Sequence, residues 1–210
     1  MIDKAVLVDN QPISGATLFY ESRWLTDWVR PNSLEIQVEY EKLTQGLASD
    51  WSKVLACFSR VLDIPYTLSV KIRVSVDGKT FTQNDAWLEP GQALMAPSLN
   101  CANRAFLLAS LLRQNYPAPN VWTVFGNLKV DGLGGHAWVL LRADQDYLLE
   151  TTSPRIRMPI TNSRIHEAVV YFNDQEVRAM PDQKVKEPLS ACWCIPFLED
   201  YLDKRACYNL

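Results

Sequence analysis

Apolar and polar positions change their period several times along this chain, and each change marks an element. Leu34, Ile36, Val38 and Tyr40 alternate with Glu35, Gln37 and Glu39. That period of two belongs to a half-buried strand, and it predicts a β-rich N-terminal region over residues 1–45, packed on the rest. From Leu47 the period lengthens. Leu47, Trp51, Val54, Leu55, Phe58, Val61 and Leu62 share one helical face, with Ser49 or Asp50 as cap and Pro65 beyond the end. Leu68, Val70, Ile72, Val74 and Val76 then alternate with polar residues as far as Asp77-Gly78, a hairpin-turn pair leading into a second strand over residues 79–82.

Residues 83–100 carry Pro90, Gly91 and Pro97 and read as an irregular approach. Over residues 101–114, Ala102, Ala105, Phe106, Leu108, Ala109 and Leu112 cover most of a helix circumference, which predicts a buried helix. Asn115, Tyr116, Pro117 and Pro119 stop it, and a strand is expected over 121–125. A loop with Gly132, Gly134 and Gly135 follows. Residues 136–142 and 147–151 then read as central antiparallel strands joined by a polar turn through Asp144, Gln145 and Asp146. A further strand is expected over 168–172, a charged loop over 175–188 and a short terminal helix within 196–207. The class is α+β. A buried helix packs on an antiparallel sheet in a core domain over residues 46–210.

Composition narrows the function classes. The 210 residues are 48% hydrophobic and 21% charged with a net charge of −3, values of an ordinary globular protein. No run of Lys or Arg offers a nucleic-acid footprint. The first residues lack a secretory apolar stretch, and Arg104, Ser110 and Arg113 interrupt the most apolar helix, so a cytoplasmic chain with no membrane partner is expected. The five cysteines, Cys57, Cys101, Cys192, Cys194 and Cys207, have no metal-type spacing and are expected as reduced thiols. No cofactor or metal motif is present in the sequence. Oligomeric state is not encoded in it.

The chemistry lies between Ser98 and Glu150. A cysteine is a nucleophile only as thiolate, and a helix N-terminus favours that form. Cys101 is expected there, with Ser98 or Asn100 as cap and its own backbone N–H directed at a developing oxyanion. Of the two histidines, His136 opens a strand in a Gly-Gly-His-Ala-Trp setting, whereas His166 has no comparable surroundings. Glu150 lies across the expected hairpin turn from His136. A tight turn there puts the carboxylate within reach of the imidazole. Cys57, Cys192, Cys194 and Cys207 read as packing residues, and Trp138 as packing on the strand face opposite His136.

Residues 87–154 resemble the core of the transglutaminase-like superfamily. Trp87, Pro90 and Leu94 are similar to its approach motif, and Cys101, Ala105, Leu107, Leu108 and residues 111–113 to its nucleophile helix. Residues 135–139, Gly-His-Ala-Trp-Val, resemble its histidine strand, and 147–152, Tyr-Leu-Leu-Glu-Thr-Thr, the strand that ends in its acid. The resemblance implies a papain-like fold and a Cys101–His136–Glu150 triad. It also implies thioester chemistry that hydrolyses a peptide or amide bond in a peptide or protein substrate, with transamidation as the other outcome. Trp87 becomes the candidate second oxyanion donor, with Gln83 and Gln92 as alternatives. The chain departs from the family pattern at Leu99-Asn100 and Ala102, where a Gly and then a polar or acidic residue usually precede the cysteine. It departs again at Glu150, where Asp is usual, and at Thr151, where Pro is usual. These departures keep open an alternative, a catalytically inactive module that binds a peptide or protein partner.

Overall fold

The computed structural model describes residues 2–7, 25–68, 70–76, 79–83, 86–129, 135–153, 157–161 and 163–179. In chain order these form β1 (Ile2–Leu7), α1 (Leu34–Thr44), α2 (Asp50–Leu62), β2 (Ile72–Val76), β3 (Lys79–Gln83), α3 (Pro90–Ala93), α4 (Cys101–Leu112), β4 (Val121–Leu128), β5 (Gly135–Arg142), β6 (Asp146–Leu149), β7 (His166–Phe172) and β8 (Val177–Ala179). The strands make two sheets, a three-stranded one ordered β1-β2-β3 and a five-stranded one ordered β6-β5-β4-β7-β8. All their pairings are antiparallel. The class is α+β, as expected. Gly132, Gly134, the Asp77-Gly78 turn, Cys192, Cys194, Cys207 and the expected terminal helix lie outside the described residues.

One expected element is overturned: residues 34–44 are the helix α1, not a strand. The period-two alternation of Leu34, Ile36, Val38 and Tyr40 misleads, because burial selects a different set. Ile36 is fully buried, and Tyr40 and Leu43 pack partly buried against the core, while Leu34 and Val38 stay exposed. Positions 36, 40 and 43 are helix spacing. Glu35, Gln37, Glu41 and Lys42 are good helix formers with nothing to gain from a strand. The face is locked to α2 by an ion pair between Glu39 and Arg60 at 2.6 Å.

α2 follows its expectation closely. Ser49 caps it, its hydroxyl accepting from the Ser52 N–H, and Val54, Cys57, Phe58, Val61 and Leu62 face inward. Leu47 falls before the cap. α4 is buried along its whole length, including Asn103, Arg104 and Ser110. Asn103 and Arg104 spend their side chains on backbone carbonyls and an N–H of segments distant in sequence. The Ser110 hydroxyl donates to the Phe106 carbonyl and accepts from the Arg30 N–H. No helix among the described residues is long and apolar enough to cross a membrane.

α4 packs on β5 and β4 and against α2, α3 and α1. One side of the five-stranded sheet supplies Phe125, Ala137, Val139, Leu141, Leu149, Val170 and Phe172 to the main core with α2 and α4. Trp122, Val124 and Trp138 form a second cluster, flanked by Leu140, Leu148, Ala168 and Tyr171. Gly126 on β4 stands where the β4–β7 register shifts. A methyl group there would run into the Glu167 carbonyl and come within 2.5 Å of Cη2 of Trp138. Glycine is needed here for close approach. Gly126→Ala is therefore expected to cost about 2–3 kcal/mol in urea unfolding. Gly46→Ala meets no atom within 4 Å but sits at φ 78°, and should cost about 1 kcal/mol. Equal losses at the two sites would contradict the packing described around Gly126.

Candidate active site

Local rules place Cys101 as the first residue of α4. Asn100 is the cap, in extended conformation, its side-chain oxygen accepting the Asn103 N–H at 3.0 Å. The unusual Leu99 has a structural reason. Its N–H donates to the Pro65 carbonyl and its carbonyl accepts from the Thr67 N–H, both at 2.9 Å, so Leu99 forms a short parallel bridge and is fully buried. The Leu99-Asn100 approach thus fixes the start of α4 from both sides. Cys101 itself is buried.

His136 is the second residue of β5, paired with Gly126 across the ladder. β6 pairs with β5 through Val139–Leu149, and Glu150 follows one residue past the end of β6. The tight turn at residues 143–145 brings the two ends together as expected. Glu150 Oε2 lies 2.9 Å from His136 Nε2, with both side chains buried.

Glu150 carries more than that one bond. Its Oε1 accepts the Thr152 N–H at 2.8 Å and the Thr152 hydroxyl at 2.6 Å. Its Oε2 also meets His166 Nε2 at 3.0 Å. A carboxylate offers about four lone-pair positions, and all four are met here. Burial works against the charged form of Glu150. The charges and hydrogen bonds of His136 and His166 outweigh it and hold the carboxyl well below the usual carboxylate range. Because Nε2 of His136 is committed to Glu150, any proton transfer with the thiol falls to Nδ1.

Arg104 joins this corner to α4. It lies one turn after Cys101, on the same helix face. Its guanidinium donates to the Thr151 carbonyl, next to Glu150, and to the Ile64 carbonyl, while stacking 5.1 Å from the Tyr66 ring centroid. The first turn of α4 therefore abuts the segment that carries the acid.

Trp87 reaches the same turn by another route. Asn103 accepts from the Leu88 N–H at 2.6 Å and donates to the Ala86 carbonyl at 2.9 Å, pinning both neighbours of Trp87 to α4. The indole packs edge-on to Trp28 and Phe106, 5.5 and 5.3 Å away, and tilted against Phe125. Of the alternatives, the Gln92 side chain closes a capping box with Glu89 at the start of α3. The Gln83 side chain lies outside the described residues.

Sequence reasoning missed four participants: His166, Ser163, Thr152 and Arg104. The signal for His166 was present, because the strand expected over 168–172 extends back to it. Trp138 was placed on the wrong face, since the period of two returns residue 138 to the side of residue 136. Its ring lies 6.0 Å from that of His136 at 29°, and 4.9 Å from that of His166 at 73°. Cys57 has the surroundings of an inert thiol. Burial, and secondarily the charge of Glu39, push it up to about 12. The donor atoms of His136, Glu150 and His166 lie within 4.8 Å of one another, close enough for a metal ion to compete for them. The observed arrangement, two ring nitrogens on one oxygen at 2.9 and 3.0 Å, is that of two N–H donors sharing an acceptor.

No family model and no curated protein matches the sequence. Among solved structures, the chain is similar to Legionella pneumophila LapG in its EGTA-treated form, with 12% identity over 71% of this chain and 88% of that one and a TM-score of 0.47. The calcium-bound form of Legionella pneumophila LapG is similar at 14% identity, over 81% of this chain and 98% of that one, with a TM-score of 0.46.

Proposed function

We propose that the chain is a cysteine-dependent acyl-transfer enzyme of transglutaminase-like type that hydrolyses a peptide or amide bond. The observation that carries this reading is the buried His136–Glu150 pair at 2.9 Å, whose acid-bearing segment is tied to α4 through the bond from Arg104, one turn after Cys101, to the Thr151 carbonyl. In the proposed cycle His136 Nδ1 takes the thiol proton and Cys101 Sγ attacks the carbonyl carbon, moving the π electrons onto oxygen. The Cys101 backbone N–H at the helix start stabilises that oxyanion, and Trp87, held beside the same turn, is the proposed second donor. Collapse breaks the C–N bond, and the amine leaves with the proton from His136. Water then loses a proton to His136, attacks the thioester and expels the thiolate, which recovers the proton. An amine in place of water would give transamidation. Glu150 keeps the imidazole in the tautomer with the proton on Nε2. The proposed substrate is a peptide or protein, no cofactor enters the cycle, and a reducing, cytoplasmic setting would keep Cys101 a thiol.

Alkylation by iodoacetamide at mildly acidic pH, read by mass spectrometry, tests the nucleophile. Cys101 should react at least about 100-fold faster than Cys57, and His136→Ala should remove most of that advantage. Equal, slow alkylation of both thiols would sink the enzymatic reading.

Glu150 makes a pH-dependent contribution whose sign follows from its depressed folded-state pKa. The ionised carboxylate's stabilisation is fully present above its unfolded value, about 4.3, and is lost as pH falls through the lower folded value. Glu150→Gln should cost roughly 3 kcal/mol in urea unfolding near neutrality, because it leaves buried imidazole donors without their anion. The gap from the parent should narrow below about pH 4.3. A gap that stays constant down the acid range would contradict an ionised, buried Glu150.

A further inference from the structure

We propose that His166 is a positioning residue for this chemistry, one that with Ser163 clamps the Glu150 carboxylate and fixes the direction in which its Oε2 faces His136. The proposal rests on the cysteine-enzyme reading above and adds to it a member outside the triad.

The clamp is built at both ring nitrogens. His166 Nε2 lies 3.0 Å from Glu150 Oε2, and His166 Nδ1 lies 2.5 Å from the Ser163 hydroxyl. An ionised carboxylate can only accept, so Nε2 carries the proton and donates. Nδ1 then accepts the Ser163 O–H in the neutral ring, or donates to it in the cation. In either state the ring is tied at both ends and cannot rotate without breaking a bond. The side chain is 2% exposed, so water is a poor substitute for those bonds.

Position makes the bond consequential. His136 and His166 sit on β5 and β7, separated by β4, and converge on one oxygen with ring centroids 6.0 Å apart. Trp138 packs against both rings. That indole in turn occupies the space left open at Gly126, the β4 residue paired with His136, where a methyl would strike it. Among the described residues the titratable groups facing His166 are Glu150 and His136, and the neighbouring Lys129–Glu167 pair, at 3.6 Å, is half exposed. The reach also gives Glu150 a purpose. A side chain that must serve two imidazoles through one oxygen and Thr152 through the other has a use for the extra methylene over aspartate.

If His166 is lost, one lone pair of a fully buried carboxylate goes unmet. Glu150 should then titrate higher and hold His136 less firmly. The test follows the Glu150 carboxyl by carbon NMR across pH, together with iodoacetamide alkylation of Cys101, in the parent, His166→Leu, His166→Gln and Ser163→Ala. In His166→Leu the Glu150 midpoint and the acidic limb of the alkylation profile should both rise, by about one pH unit for one charge-assisted hydrogen bond. His166→Gln can present an amide N–H where Nε2 stood and should stay near the parent. Ser163→Ala, a mild change that serves if the leucine variant does not fold, should shift both readouts the same way by less. The parent midpoint and the parent limb in either folded His166→Leu or Ser163→Ala would overturn the assignment while leaving the cysteine enzyme standing. Parent Cys101 alkylating no faster than Cys57 would instead remove the enzymatic reading, and the positioning role with it.

Discussion

A carboxylate with no exposure to water has to be met by donors on every side, and Glu150 sets that demand at the centre of this protein. Its four hydrogen bonds come from Thr152, His136 and His166. Desolvation alone would drive a proton onto the group. Two imidazoles and two further donors reverse that outcome. Much of the surrounding architecture serves to bring those donors together. The β5–β6 hairpin delivers His136 and the acid to neighbouring strand ends, β7 brings the second imidazole from across β4, and Gly126 leaves room for the indole between them.

The second organising element is α4, which is buried along its whole length although it carries Asn103 and Arg104 in its first turns. Both side chains are spent on backbone groups of segments distant in sequence: Asn103 on Ala86 and Leu88, Arg104 on Ile64 and Thr151. They work as struts, tying the approach before the cysteine, the end of α2 and the acid-bearing segment to one helix turn. The residues around Cys101 that depart from the family pattern belong to this scaffold. Leu99 bridges to the segment around Tyr66, and Asn100 caps the helix. Their roles in holding the helix start are compatible with chemistry at its first residue.

What could be read in the sequence follows from how local the determining forces are. α2, α4 and the β5–β6 hairpin have strong periods, recognisable caps and a short turn, and their positions, with Cys101, His136 and Glu150 on them, were legible. α1 was not. Its alternation over residues 34–40 is real in the sequence, but the choice between helix and strand was made by which side chains α2 and α4 could bury, and that is tertiary information. Trp138 shares the His136 face because side chains two apart on a strand point the same way, a purely local rule. His166, Ser163 and Arg104 act through contacts that span many residues, so nothing adjacent to them announces a role. The one available hint for His166 was the strand that begins at it.

Whether the buried pair activates a thiol can be measured without a substrate. The ultraviolet absorbance of the thiolate, recorded across pH for the parent and for Cys101→Ser and subtracted, reports the ionisation of Cys101 alone. A difference signal already developed well below the ordinary thiol value of about 8.5 is expected, and it should be lost at the same acidity in His136→Ala. A difference signal that rises only at or above that ordinary value would contradict the assignment of Cys101, His136 and Glu150 as one catalytic unit.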